Sequence, residues 1–239
     1  MALKTRRVAL VTGGAIRVGR AIVRQLNEMG FDIGFTYHSS ASEANRLAKS
    51  LAGRSIAIQA DLTQPKHACK IVLDEMTKTF GRLDVLVNNA SIYVPGNQQS
   101  KQMMAIHFGS PRLLGQLFEK QLRKSKGHIV NMVDALAKKP PKEFEAYGAS
   151  KSALWDLTLE QARQLGPEVT VNGIAPGVVE WPKGYPMAAR RRYLRHVPLN
   201  RAGTPEDVAK LVAFLVTDGT YINGQIIRLD GGRSISQSS

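Results

Sequence analysis

The fold of this chain is decided by the stretch Val8–Gly19, which reads VALVTGGAIRVG. A short apolar run passes here through a glycine-rich turn into an amphipathic stretch. Gly13 permits a tight turn, and Gly19 lets the following helix pack close to the strand. A helix that begins at this point directs its backbone amides and its positive dipole end at a pyrophosphate. The stretch therefore predicts a strand, a nucleotide-binding turn and a helix.

Short apolar runs alternate with amphipathic stretches over the rest of the chain. The runs are β-branched and continuously apolar, which is typical of strands covered by helices on both faces. The predicted strands are Val8–Thr12, Ile33–Tyr37, Ser55–Gln59, Val85–Asn88, Ile129–Met132, Thr170–Ile174 and Gln225–Leu229. The predicted helices are Arg17–Met29, Ser42–Leu51, Pro65–Phe80, Lys101–Lys124, Tyr147–Leu165 and Pro205–Thr217. This order predicts one doubly wound, Rossmann-type α/β domain over residues 1–239, with a mainly parallel seven-stranded sheet.

The segment from Gly177 to Pro198 interrupts the alternation. It is rich in proline and fits a loop with a short helix that covers a site, as substrate lids do. Its basic run from Arg190 to Arg192 indicates either a solvated helix face or a surface that attracts an anionic substrate tail. Beyond this segment, Thr204 and Pro205 predict a capped start for the last helix.

Composition limits the class of protein. The 239 residues carry a formal net charge of +14, which attracts anions, but the basic residues are scattered and form no nucleic-acid motif. No apolar run reaches the ~18 residues of a membrane span, and the start lacks a secretory cleavage site. The single cysteine, Cys69, suits a reducing compartment, and the histidines lack metal-ligand spacing. We therefore expect a cytoplasmic protein that binds no metal, nucleic acid or membrane.

The end of the second predicted strand indicates which dinucleotide binds. NAD-binding folds place an acid about 20 residues after the glycine turn, where it holds the ribose 2′-hydroxyl. Tyr37, His38 and Ser39 occupy this place, with no carboxylate to repel a 2′-phosphate and with donors to bind one. We therefore expect NADPH. Asp61 and Leu62 follow the third strand and are expected at the adenine edge.

Tyr147 and Lys151 lie four residues apart, which places both on one face of a helix. A phenol is a poor acid at neutral pH, and a nearby ammonium would lower its pKa. Because the pair follows a strand that runs on to Asp134 within a nucleotide-binding fold, it predicts a proton donor to a substrate that receives hydride.

Five motifs are spread along the chain: Thr12-Gly13-x-x-x-Arg17-x-Gly19, Asn88-Asn89-Ala90, Tyr147-x-x-x-Lys151, VNGIAPG over Val171–Gly177, and LDGG over Leu229–Gly232. Together they resemble the short-chain dehydrogenases/reductases over essentially the whole chain. The resemblance implies that Lys151 also binds the nicotinamide ribose, that Pro176 and Gly177 lie near the nicotinamide, and that the protein is a homotetramer. The further cofactor contacts that we expect are Ile16, Arg17, Val18, Asn88, Ala90 and Met132.

Three departures from the common family pattern narrow this resemblance. Arg17 stands where most members have Gly or Ala, Asp134 where most have a catalytic Ser, and Ser91 where most have Gly after Ala90. This set is similar to the pteridine reductases and the bacterial dihydromonapterin/dihydrofolate reductases. A carboxylate at position 134 would repel a developing alkoxide, but it can hold Tyr147 or a water in a proton relay.

Four further side chains are candidates for the substrate region. The planar fork of Arg17 can bridge the pyrophosphate and a pterin atom. Tyr93 either stacks on the pterin or is a surface aromatic, and Ser91 can reach phosphate or pterin. His107 takes the place of the usual active-site Asn, as a satisfied core histidine, an anchor for a water chain, or a proton carrier.

These residues predict hydride transfer from NADPH to the C=N bond of a dihydropterin, such as dihydrobiopterin, dihydromonapterin or dihydrofolate. N5 would be protonated through Tyr147 or through a water that Tyr147 and Asp134 hold. The predicted catalytic residues are Asp134, Tyr147 and Lys151, and the predicted substrate contacts are Arg17, Ser91, Tyr93, Asp134 and Tyr147. A carbonyl reductase of the 3-oxoacyl type and a non-catalytic nucleotide sensor remain as alternatives.

Overall fold

Seven parallel strands form one sheet in the computed structural model, which describes residues 6–182 and 184–236. The strands are β1 (Val8–Val11), β2 (Asp32–Tyr37), β3 (Ser55–Gln59), β4 (Val85–Asn88), β5 (His128–Met132), β6 (Thr170–Pro176) and β7 (Ile226–Leu229). Their order across the sheet is β3-β2-β1-β4-β5-β6-β7. The chain moves outward in both directions from β1 and β4, so the crevice between these two strands is the switch point of the sheet.

Helices cover both faces of the sheet, which confirms the predicted doubly wound fold. They are α1 (Arg17–Glu28), α2 (Ala41–Ser50), α3 (Pro65–Phe80), α4 (Ser100–Met104), α5 (Ser110–Leu117), α6 (Glu119–Ser125), α7 (Glu145–Leu165), α8 (Met187–Leu194) and α9 (Pro205–Thr217). Alternate residues of β1 supply the two cores. Ala9 and Val11 pack with α1, α2 and α9, whereas Val8 and Leu10 pack with α3, α5 and α7.

The predicted single helix over 101–124 was wrong. The chain instead forms α4, a π-helical turn over Ala105–Gly109, α5 and α6. Pro111 lies in the first turn of α5, where its missing amide costs nothing, and Phe118 separates α5 from α6. The π-helical turn places His107 in the interior, where it is 1% exposed.

The segment 177–198 contains the short helix α8, as predicted, and its Lys183 lies outside the described residues. Cys69 is buried in α3. Among the helices of the described residues, none combines the length and the apolar character needed to cross a bilayer.

Candidate active site

A cavity of about 390 Å³ opens at the carboxyl ends of β1, β4, β5 and β6. Its walls are Gly13, Ile16, Arg17, Val18, Gly19, Asn89, Ala90, Ser91, Ile106, Met132, Val133, Asp134, Tyr147, Lys151, Pro176 and Gly177. A neighbouring cavity of about 120 Å³ shares Gly13, Ala90 and Ser91 with it and extends to Tyr37, His38, Asp61 and Leu62. The fold therefore brings most of the predicted site residues to one crevice at the switch point.

The first turn leaves room for a pyrophosphate. Gly13 has φ +63°, and a Cβ on Gly19 would collide with the Gly13 carbonyl and lie 2.7 Å from the amide nitrogen of Asn89. No side chain caps the N-terminus of α1, and its first turn holds no acid. The backbone amides of this turn are thus left for an anionic ligand, which fits the pyrophosphate of a dinucleotide.

Arg17 ties this turn to the segment after β6. Its Nε lies 2.9 Å from Glu180 Oε2, and its Nη2 lies 3.3 Å from the Glu180 carbonyl oxygen. Arg17 adopts φ +52°, a conformation that favours glycine. Sequence reasoning missed Glu180, because 163 residues separate the two partners and no motif links them.

The smaller cavity collects the residues predicted to hold the adenosine end. Asp61 Oδ1 accepts hydrogen bonds from the amide and the hydroxyl of Thr63, at 3.0 and 2.7 Å. The Thr63 hydroxyl is the main cause of a lowered pKa of Asp61. His38 lines this cavity and is exposed, so it is free to meet a ligand, whereas Ser39 is exposed outside the cavity wall.

Tyr147 and Asp134 form the polar centre of the larger cavity. Tyr147 Oη donates a hydrogen bond to Asp134 Oδ2 at 3.0 Å, and Asp134 Oδ1 accepts one from the Leu136 amide at 2.7 Å. Burial raises the pKa of Asp134. Burial and the Asp134 carboxylate together hold the pKa of Tyr147 well above its usual value. The phenol therefore carries its proton throughout the neutral range.

Lys151 is buried one helical turn from Tyr147, with 3% exposure. Its Nζ donates to the Met132 carbonyl oxygen at 2.7 Å, and burial lowers its pKa to about 8. We expected this ammonium to lower the pKa of Tyr147. That expectation was wrong, because burial and the Asp134 carboxylate raise the pKa of the phenol. A lysine at this place can still stabilise negative charge that appears on Tyr147 once its proton has left.

His107 connects the loop after β4 to α7, the helix that carries Tyr147 and Lys151. Its Nε2 lies 2.8 Å from Ser91 Oγ and accepts from the Ile92 amide at 3.3 Å. Its Nδ1 lies 2.8 Å from Ser150 Oγ, which itself donates to the Tyr147 carbonyl at 2.7 Å. The Ser150 hydroxyl donates its hydrogen to the Tyr147 carbonyl, so it can only accept from Nδ1. The Ile92 amide donates to Nε2, so the hydrogen of the imidazole ring lies on Nδ1.

Aromatic side chains border the substrate end of the crevice. Tyr93 is 56% exposed, stacks on Phe144 with centroids 4.4 Å apart, and meets the Tyr147 ring edge to face at 4.9 Å. Further out, Trp181 stacks on Tyr185 and contacts Tyr193 edge to face. Of these aromatic residues, sequence reasoning identified Tyr93 and Tyr147 and missed the others, which lie in segments without a motif.

Asn88, like Ser39, is a predicted cofactor residue that lines neither of these two cavities. Its side chain is buried and donates to Asn131 Oδ1 at 2.7 Å, so it joins β4 to β5. Asn131 passes the contact on to Thr158 of α7 at 2.9 Å. The side chain of Asn88 thus supports the helix that carries Tyr147.

Comparison with known proteins gives the following likenesses. A family model described as enoyl-(acyl carrier protein) reductase matches residues 14–234. Pteridine reductase 1 of Leishmania tarentolae is 32% identical, with 97% of each chain covered. The 3-oxoacyl-(acyl-carrier-protein) reductase of Staphylococcus aureus is 30% identical over 96% of this chain and 99% of its own. The structure of acetoin dehydrogenase from Enterobacter cloacae matches with a TM-score of 0.89 at 29% identity, covering 100% and 99% of the two chains.

Proposed function

Because this chain belongs to the short-chain dehydrogenase/reductase family, we propose that it is an NADPH-dependent reductase that converts a dihydropterin to the tetrahydropterin. The observation that carries the proposal is the hydrogen bond from Tyr147 Oη to Asp134 Oδ2. A ketone substrate needs a second donor beside the phenol, and an ionised carboxylate cannot donate. A dihydropterin ring presents N–H groups from which the Asp134 carboxylate can accept, and it takes up one proton, which the Tyr147 phenol can donate.

The residues present fit an NADP-type dinucleotide. The amides at the start of α1, which no side chain caps, would hold the pyrophosphate, and His38 would meet the 2′-phosphate. Lys151 would hold the nicotinamide ribose, as family resemblance implies. When bound, the cofactor supplies the hydride that reduces the C6–N5 double bond of the pterin.

Tyr147 would protonate N5, and a water held by the Asp134 carboxylate would then return a solvent proton to the phenolate. The buried Lys151 ammonium would stabilise the phenolate until that proton arrives. Tyr147→Phe should keep cofactor affinity while turnover falls by about two to four orders of magnitude. Stopped-flow turnover beside a cofactor titration measures both, and full turnover in this variant would remove Tyr147 from the proton route.

Aromatic walls support a planar heterocycle as the substrate. Tyr93 already uses one face on Phe144, and its edge contact with Tyr147 places it next to the reacting phenol. We propose that the pterin lies beside this pair, with Ser91 and Arg17 as polar partners.

The choice of NADPH is tested by His38→Asp. An acid at this place repels a 2′-phosphate and can hold a ribose hydroxyl, so kcat/KM should fall for NADPH and hold or rise for NADH. Gln116→Glu, which adds a charge at an exposed position of α5, serves as the control for charge alone. An unchanged preference in His38→Asp would remove this side chain from cofactor selection.

A 3-oxoacyl reductase is the second candidate function, and the similarity to the staphylococcal enzyme favours it. The deciding experiment follows the loss of NADPH absorbance with dihydrobiopterin, dihydromonapterin, dihydrofolate and a 3-oxoacyl thioester in parallel. Preference for a dihydropterin or dihydrofolate supports the proposal. Turnover of the thioester alone overturns it, and absence of all turnover would favour a nucleotide sensor.

We also propose that the protein is a homotetramer in the cytoplasm, on the strength of the family resemblance. Light scattering coupled to gel filtration tests the assembly directly, and a monomeric mass would exclude it.

A further inference from the structure

Arg233 lies in the short 3-10 turn Arg233–Ile235 that follows β7. The turn is fixed by Asp230, whose carboxylate accepts hydrogen bonds from the Gly232 amide at 3.0 Å and the Ser234 amide at 2.7 Å. The acid nearest to Arg233 along the chain is thus engaged by backbone donors. The position of the Arg233 side chain is set by this turn and by the ring that it covers.

The guanidinium of Arg233 has no acceptor within residues 6–182 and 184–236. Its Nε is buried without a hydrogen-bond partner, and the side chain takes part in no ion pair of this described part. It lies over the ring of Tyr193, 5.7 Å from the centroid. Because burying a donor without an acceptor is costly, such a group points to a ligand that supplies the acceptor.

Tyr193 links Arg233 to the active site. Its Oη accepts a hydrogen bond from the Val178 amide at 3.1 Å, beside Gly177 in the wall of the larger cavity. A Cβ built on Gly177 would lie 3.2 Å from the same Tyr193 Oη, so this side chain reaches from Arg233 to the wall of the larger cavity.

We propose that Arg233 is a specificity-determining residue that binds a carboxylate on the tail of the substrate. The inference rests on the proposed dihydropterin reduction and names the form of substrate that the site prefers. A guanidinium presents a planar fork of donors that matches a carboxylate, and Tyr193 lies between this fork and the cavity wall at Gly177. A dihydropterin that bears a glutamate tail, as dihydrofolate does, has this chemistry.

The arginines of α8 are less suited to this role. Arg190 donates its Nε to the Tyr185 carbonyl at 3.2 Å and lies over Trp181, while Arg191 and Arg192 are exposed. Exposed charges bind a carboxylate weakly, because water and salt compete for it. Arg191 therefore provides a matched control that removes the same charge from the same region.

The experiment compares Arg233→Met and Arg191→Met with the unaltered enzyme on dihydrofolate and on dihydrobiopterin, which lacks a carboxylate. We expect Arg233→Met to lower kcat/KM for dihydrofolate by roughly tenfold or more and to leave dihydrobiopterin within about twofold. The KM for NADPH should not change, and Arg191→Met should leave both substrates unaffected. Arg233→Lys should recover part of the dihydrofolate rate, since it restores the charge without the fork.

A dihydrofolate analogue with both glutamate carboxylates converted to amides tests the same contact from the side of the substrate. The unaltered enzyme should use it as poorly as Arg233→Met uses dihydrofolate, and Arg233→Met should slow it no further. Three results with Arg233→Met would each overturn this inference while leaving the proposed function in place. They are an equal fall in kcat/KM for dihydrofolate and dihydrobiopterin, no fall for either substrate, and a raised KM for NADPH. If the unaltered enzyme reduces neither dihydropterin, the proposed function fails and this inference fails with it.

Discussion

The buried side chain of Lys151 carries a charge that titrates close to the neutral range. Burial lowers the pKa of Lys151 to about 8, and Asp134 offsets only part of this effect. The ammonium therefore predominates at pH 7 and is lost as the pH rises through about 8. If the ammonium stabilises a phenolate on Tyr147, kcat should fall over the same range.

Stability gives an independent readout of the same lysine. In the unfolded chain its pKa is near 10.5, so between about pH 8 and 10.5 the unfolded chain holds a proton that the folded protein lacks. The buried, charged lysine therefore destabilises the folded state below about pH 8, and this destabilisation becomes smaller as the pH rises. Lys151→Met should raise the free energy of unfolding by roughly 2–3 kcal/mol at pH 7 and by much less at pH 10. Denaturant titrations at both pH values measure it, and an equal gain at both would contradict the shift.

His107 provides the second prediction at this scale. Burial and the nearby Lys151 lower its pKa to about 2, so it stays neutral and is unsuited to carrying protons. His107→Phe keeps an aromatic ring but removes the hydrogen bonds of His107 to Ser91, Ile92 and Ser150, which should cost about 1–3 kcal/mol of stability and reduce kcat.

The pH profile separates this positioning role from proton transfer. The shape of the kcat profile between pH 5 and 8 should be the same in His107→Phe as in the unaltered enzyme. The exposed His67→Phe is the control and should leave stability and kcat unchanged. Loss of a titration near neutral pH in His107→Phe would instead make His107 a proton carrier.

The residues of this centre could be predicted from the sequence, but their electrostatics could not. Tyr147 and Lys151 are brought together by helical spacing, and Asp134 by the end of the strand before them. The pKa of Tyr147 depends on where Asp134 and Lys151 point, because one carboxylate at 3.0 Å outweighs an ammonium that is turned to the Met132 carbonyl. These distances are set by side-chain packing, and the spacing of the residues along the sequence does not indicate them.

At the scale of elements, the start of α9 is fixed by a local signal. Thr204 Oγ1 accepts from the Asp207 amide at 3.1 Å, and Asp207 Oδ2 accepts from the Thr204 amide at 3.0 Å. This reciprocal capping satisfies two amides that the helix itself cannot. Thr204→Ala should cost about 1 kcal/mol of stability. Thr77→Ala, at an exposed helical position, should be neutral or slightly stabilising, and equal losses in both would show that the cap contributes nothing.

Element prediction succeeded where the signal was local and failed where it was not. The predicted ends of Ser55–Gln59 and Pro65–Phe80 agree with the structure, because polar residues bound the apolar strand and Pro65 opens the amphipathic helix. The predicted helix 101–124 breaks at a π-helical turn, since His107 must face Ser91 and Ser150 at once. Both partners are distant in the chain, so helical periodicity alone could not indicate the break.

For the whole molecule, the contact between Arg17 and Glu180 joins the first turn to the segment that follows β6. Both side chains are partly exposed, so the pair is weak and a pyrophosphate can compete for Arg17. Glu180→Gln should therefore tighten NADPH binding by about two- to fivefold. Calorimetric titration measures the change, and Glu206→Gln, which removes an equal charge at an exposed position of α9, controls for net charge. Weaker binding in Glu180→Gln would mean that Glu180 orients Arg17 for the cofactor.

The burial of Cys69 has a consequence for how the protein meets oxidants. A thiol reacts with peroxides and disulfides as its thiolate, which attacks them, but burial raises the pKa of this thiol to about 11 and closes it off from solvent. It is the single cysteine of the chain, and the groups that meet around Tyr147 are a phenol, a carboxylate and an amine. Thiol oxidation switches off many enzymes during oxidative stress, and we expect the reductase activity proposed above to be insensitive to it.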